Sequence, residues 1–225
     1  MVQRTKALLL VLLFLASVAG SAHAVILTPG VFTPLSGTTA AANPNLAGPI
    51  VYDDMVAFSF IGDDTGGIIS GQVQVRLVHA VDNTYDFYWR VINDANSAGA
   101  IGSFRIGEFM TSVYDADYRI DGVGDKAPQY AYLFPDPPYA GYVNFEFGTD
   151  GLAAGMSSNF MFLDTLETTY PAGFALYDVT NVGQTHISGQ FTTPAPGVAV
   201  PEPSMMVLFF SGLAGLAGFG WHFRK

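Results

Sequence analysis

The sequence predicts an all-β fold, an antiparallel β-sandwich framed by an N-terminal signal peptide and one C-terminal apolar helix. Three observations carry this reading. Apolar and polar residues alternate at period two through most of the chain between about 50 and 192. Clusters of Gly, Pro, Asp and Asn separate the alternating runs. No apolar stripe of helical period runs beyond two turns outside the two ends.

Residues 1–24 have the three parts of a secretory signal. Arg4 and Lys6 precede an apolar run, Ala7–Ala16, and small residues lead to Ala22-His23-Ala24. The apolar run falls short of the roughly 20 residues a bilayer span needs. Ala22 and Ala24 make an A-x-A site, so signal peptidase is expected to cut after Ala24.

Residues 25–192 form the expected ectodomain. Val25 to Pro49, rich in Thr, Pro, Ala, Gly and Asn, reads as an irregular or edge segment. The first clear strand candidate is Met55–Ile61, followed by a turn at Asp63-Asp64-Thr65-Gly66-Gly67. In Ile69–His79, the residues Ile69, Val73, Val75 and Leu77 fall on one face, opposite Gln72, Gln74 and Arg76. After a turn at 80–83, Tyr85, Phe87, Trp89 and Val91 share a face, and Asp86 and Arg90 take the other. These two runs predict a hairpin with one core face. Further strands are expected at Ile101–Phe109, Ser112–Ile120, Gln129–Phe134, Tyr142–Phe147, Phe160–Leu166, Phe174–Val179 and His186–Phe191. About ten strands at this spacing fit a sandwich, and both jelly-roll-like and immunoglobulin-like topologies are compatible with them. Residues 193–200, with Pro194 and Pro196, read as an extended Pro-rich linker.

Charge and composition narrow the function. All 19 acidic residues lie between Val25 and Pro203, against five basic ones (Arg76, Arg90, Arg105, Arg119, Lys126), a net charge of −14. Such a surface repels phosphate backbones, which argues against nucleic acid as a partner. The chain has no cysteine. An exported domain of this kind is held by its core rather than by disulfides, and thiol chemistry is excluded.

At the C-terminus, Pro201-Glu202-Pro203 precedes the uncharged run 204–221, and Arg224-Lys225 ends the chain. As a helix, 204–221 is about 27 Å long, enough for the hydrocarbon core. The basic end would stay cytoplasmic, so everything between the two apolar segments is translocated. This triplet, single apolar span and short basic tail resemble the PEP-CTERM sorting signal, over 201–225. The resemblance implies recognition and cleavage by exosortase, a membrane-embedded protease, through Pro201, Glu202, Pro203, Arg224 and Lys225. It further implies a Gram-negative cell, a transient or retained single-pass anchor, a final site at the surface or outside the cell, and exopolysaccharide as a further partner. The body resembles the β-rich ectodomains of such proteins in Ser70-Gly71-Gln72-Val73, in Tyr85–Val91 and in Gly151–Ser158. That likeness carries no activity with it.

Catalytic signals are sparse. The translocated segment has two histidines, His79 and His186, and neither H-E-x-x-H nor G-x-S-x-G. Calcium is the one inorganic ligand the acids suggest. Asp115, Asp117, Asp121 and Asp125 cluster in a stretch read as a loop, although their spacing is not that of an EF-hand, and ordinary turn acids are the competing reading. No other cofactor is expected. Tyr130, Tyr132, Phe134, Tyr139 and Tyr142 gather around Pro135-Asp136-Pro137-Pro138, where exposed rings suit sugar contact. The expected function is non-enzymatic adhesion, matrix organisation or envelope interaction. The alternative is a secreted carbohydrate-binding module or a weakly signalled glycan hydrolase.

Overall fold

Twelve β-strands and a 3-10 turn (Pro44–Leu46) make up the regular structure of the described residues, 24–63, 65–171 and 175–197, in a computed structural model. Residues 1–23 of the expected signal peptide, with Ala22, and the C-terminal residues with Pro201, Glu202, Pro203, the apolar run 204–221, Arg224 and Lys225, lie outside the described residues. Among the described residues no helix is long and apolar enough to cross a membrane.

The strands form two six-stranded antiparallel sheets. Sheet A has the order β1 (Val25–Ile26), β7 (Asp115–Tyr118), β10 (Met161–Asp164), β5 (Tyr85–Asn93), β4 (Ile68–His79), β3 (Ile50–Ile61). Sheet B has the order β12 (Phe191–Thr193), β11 (Ala175–Asn181), β6 (Ile101–Gly107), β9 (Val143–Glu146), β8 (Tyr130–Leu133), β2 (Phe32–Pro34). The expected hairpin is β4–β5, with Val75 opposite Trp89 and Leu77 opposite Phe87. Its turn closes because Ala80 N–H donates to Thr84 O at 2.9 Å and Asn83 accepts a left-handed φ of 69°. Asn tolerates that conformation better than most residues.

The alternating apolar faces of both sheets meet in one core. Trp89 is fully buried, with Phe104 of sheet B and Phe109 each 5.8 Å from its ring and Phe87 stacked at 6.4 Å. Burial of each such ring is worth roughly 1.5–3 kcal/mol by area. The indole N–H must also find a partner there, and Thr193 Oγ1 accepts it at 3.0 Å. This bond ties β5 in one sheet to β12 in the other.

In the segment read as irregular or edge, Val25–Ile26 and Phe32–Pro34 are edge strands, recruited by backbone pairing to β7 and β8. Pro34 is tolerated because an edge strand leaves one side of its backbone unpaired. Other segments differ from their sequence reading. The expected strand Ser112–Ile120 shortens to Asp115–Tyr118, and His186–Phe191 gives way to Phe191–Thr193 with one isolated bridge, Thr180 to Ile187. The stretch expected as a linker from 193 begins inside the sandwich. Thr193 and Ala195 are buried, and Gly197 N–H donates to Thr169 O at 2.8 Å.

The segment from Thr38 to Pro49 lies over the outer face of sheet A. Leu46 packs with Val78, Tyr88, Phe160 and Phe162 in a second apolar cluster, and Ala24 borders it. Tyr88 Oη donates to Leu46 O at 3.3 Å, and Val81 N–H donates to Ala47 O at 3.1 Å. Among the described residues the outer face of sheet B has no comparable buried apolar cluster, and Phe32, Tyr132 and Tyr142 on that side are half-buried or exposed.

Candidate functional site

The outer face of sheet B is built by period-two alternation. Phe104, Ile106, Val143 and Phe145 turn inward to the core, so Arg105, Gly107 and Asn144 turn outward. Strand register then aligns Asp178, Arg105, Asn144, Tyr132 and Phe32 in one row across β11, β6, β9, β8 and β2. Arg105 Nε donates to Asp178 Oδ1 at 2.6 Å and Nη2 donates to Oδ2 at 2.8 Å. This two-pronged pair fixes both planar groups in one orientation. It comes from residues 73 apart in the chain.

Beside this row the aromatic side chains form a continuous line. Ring centroids are 4.6 Å apart for Phe32 and Tyr132, 4.8 Å for Tyr132 and Phe134, 6.2 Å for Phe134 and Tyr139, and 5.5 Å for Tyr139 and Tyr142. The last ring lies on Gly107, where a Cβ would come within 2.6 Å of Tyr142 Cε2. Glycine is therefore the residue that admits the ring against the strand. The loop carrying Tyr139 is closed on itself: Gly141 N–H donates to Phe134 O at 3.1 Å and Phe134 N–H donates to Tyr142 O at 2.9 Å.

The Tyr142 end of this line borders a cavity of about 420 Å³, with Arg105, Asn144, Asp178 and Gln190 as its polar wall and Phe134, Tyr139 and Tyr142 as its aromatic one. A second depression of about 580 Å³ includes Phe32, Tyr130, Glu146 and Gln184. Gln184 Nε2 donates to both Glu146 oxygens, at 3.0 and 3.2 Å, and burial raises the Glu146 carboxyl pKa above its ordinary value. Flat apolar rings next to fixed donors and acceptors are the complement of a sugar ring, which has a C–H face and a hydroxyl rim.

Of the aromatics singled out in the sequence, Tyr132, Phe134, Tyr139 and Tyr142 join this line, and Tyr130 lines the neighbouring depression. Phe32, Arg105, Asn144 and Asp178 were not marked by any motif. Arg105 between inward Phe104 and Ile106 was the available sign of an outward cation, but its partners follow only from register.

The four candidate calcium ligands are placed apart in their bonding. Asp115 and Asp117 lie on β7 rather than in a loop, because Ala116 fits the core and strand pairing carries through them. Asp117 Oδ1 accepts from Gly37 N–H at 2.8 Å and from Tyr118 N–H at 2.9 Å. Asp121 accepts from Arg119 at 2.7 and 2.9 Å and from Ala40 N–H at 2.8 Å. Asp125 Oδ2 accepts from Ser157 N–H at 2.8 Å and Ser157 Oγ at 3.1 Å. No group of three or more His, Asp or Glu side chains among the described residues is arranged to hold a metal ion.

Asp115 belongs instead to an acid row on the outer face of sheet A. Register sets Asp115 opposite Asp164, and continuing the β10–β5 pairing sets Asp164 opposite Asp86. Like charges opposed across strands are unfavourable. Burial first, and the Asp164 carboxyl second, push Asp86 up to about 9, and the same two causes push Asp115 up to about 6. His79 stacks on Tyr85 with ring centroids 4.9 Å apart. At the other predicted processing point, Ala24 directly precedes β1.

Residues 199–225 match the PEP-CTERM protein-sorting motif. The chain thus carries this motif at its C-terminus behind a β-rich ectodomain, and the motif implies export and sorting through exosortase. Comparison with curated proteins and with solved structures gives no match.

Proposed function

We propose that this chain is a non-enzymatic adhesion or matrix protein of a Gram-negative cell surface, which binds glycan in the groove on sheet B. The observation that carries the proposal is the set of rings Phe134, Tyr139 and Tyr142 beside the locked Arg105–Asp178 pair in one cavity. The apolar segment 204–221 holds the protein in the inner membrane until exosortase cuts near Pro201-Glu202-Pro203. The ectodomain is then released to the surface or the matrix.

A hydrolase reading has less support. Glycoside hydrolysis uses two carboxyl groups free to act on the scissile bond and on water. Here Asp178 is occupied by Arg105 and Glu146 by Gln184.

The test is a glycan array probed with the full chain and with Tyr139→Ala and Tyr142→Ala. Retention of a defined set of glycans is expected, with affinity falling roughly tenfold in each variant, equivalent to about 1.4 kcal/mol. No retained glycan, or retention unchanged in both variants, would remove the groove from the account. Release of shortened glycan would contradict the non-enzymatic reading.

A further inference from the structure

The outer face of sheet A holds a third cavity, of about 770 Å³, between strands β4 and β5 and the covering segment 38–49. Three of the five basic residues of the translocated segment, Arg76, Arg90 and Arg119, line it. That concentration stands out in a region of net charge −14. Its apolar walls include Ile50, Val78 and Phe160.

The three arginines are not equally employed. Arg119 is held by both oxygens of Asp121, at 2.7 and 2.9 Å. Arg76 donates from Nη2 to Asp53 at 2.8 Å, while its Nε is buried without a partner. Arg90 has neither an ion pair nor a hydrogen bond among the described residues, and its Nε is likewise buried. Its guanidinium lies 5.7 Å from the Phe160 ring centre, and that of Arg76 lies 4.6 Å from the same ring. The ring attracts both cations. It accepts no planar pair of hydrogen bonds, so Arg90 is left without a carboxylate partner among the described residues. Burial, and then the like charge of Arg76, lower the Arg90 pKa, while Asp125 and Asp53 act on it only at longer range.

We propose that this cavity binds the carboxylate of a sugar acid, with the terminal amino groups of Arg90 as the principal contact and the Arg76 guanidinium beside them. A guanidinium fork and a carboxylate match in plane and spacing, and a charge-assisted pair would give Arg90 the anionic partner it lacks among the described residues. Ile50, Val78 and Phe160 offer apolar contact to the rest of the ring. The surrounding negative field repels a densely charged polyanion, whereas the carboxylate of a single sugar acid can reach the arginines at short range. This site lies on the opposite sheet from the aromatic groove and does not rest on it.

The experiment is calorimetric titration of the full chain with glucuronate, with glucose, sulfate and phosphate as controls. Glucuronate should bind and glucose should not. Arg90→Gln should weaken binding at least tenfold. Arg90→Lys keeps the positive charge over Phe160 but loses the fork, and should weaken binding about fivefold. Should Arg90→Gln fail to fold, Arg90→Lys still decides the matter. Equal binding of glucuronate and glucose, or unchanged affinity in Arg90→Lys, would overturn the proposal. Sulfate or phosphate binding more tightly than glucuronate would overturn the assignment to a carboxylate.

Discussion

Replacing Asp86 by asparagine should stabilise the protein at neutral and alkaline pH and flatten the dependence of its stability on pH. Asp86 is fully buried on β5, and no N–H or hydroxyl donor reaches either carboxyl oxygen. The group within hydrogen-bonding range is another carboxyl, Asp164, with Asp82 adding its charge and Arg119 opposing it. Asp115 on β7 faces Asp164 from its other side. These surroundings push Asp86 up to about 9, whereas an aspartate in an unfolded chain titrates near about 3.9. Between those values the folded state binds a proton that the unfolded state has lost. Stability is therefore fully present below the unfolded value and falls as pH rises towards the folded one. One proton corresponds to about 1.4 kcal/mol per pH unit, so the fall from pH 6.5 to 8.0 is at most about 2 kcal/mol. Asp115, at about 6, has largely titrated below that window. Asparagine keeps the shape and supplies an amide donor for the Asp164 carboxylate without needing a proton. Urea unfolding of the full chain and of Asp86→Asn, at half-unit steps from pH 5.5 to 8.5, measures the slope. A wild-type profile that is flat or rises with pH would refute this reasoning, as would an equal slope in the variant.

Three other predictions concern separate parts of the chain. Thr193→Val keeps the side-chain shape but leaves the Trp89 N–H unpaired in the core, and should cost about 1–3 kcal/mol in thermal or urea unfolding. Replacing Pro201, Glu202 and Pro203 together by alanine should leave the unprocessed chain in the membrane fraction, as read by intact mass; unchanged processing would contradict exosortase recognition of the triplet. Calcium chelation should leave the melting temperature unchanged, because Asp117, Asp121 and Asp125 are each bonded to separate donors. A clear drop would show that calcium joins them.

The strands of the central meander were legible because alternation is a local property. Val73, Val75 and Leu77 on one run, and Phe87, Trp89 and Val91 on the next, declare a core face without knowledge of their partners. Edge strands such as Phe32–Pro34 are short and join by backbone bonds, which leave little periodic trace. Residues 193–197 have the composition of a linker, yet the demand of a buried indole for an acceptor draws Thr193 into the core.

The candidate site was legible in its aromatic half only. Tyr132 to Tyr142 are close in sequence and flank a Pro-rich turn. Arg105, Asn144 and Asp178 come from three strands, and only their register makes them neighbours. Asp86 shows the same limit from the other side. Its place in the alternation reads as solvent-facing, but the sequence does not announce that it will be enclosed beside Asp164.

The most direct test of the ligand face is hydrogen–deuterium exchange of the full chain with and without a glycan that it retains. Protection should concentrate on residues 103–107, 130–144 and 175–181, the strands and loop that carry the aromatic line and the Arg105–Asp178 pair. Protection confined to sheet A, or none at all under saturating glycan, would contradict glycan binding in the groove on sheet B.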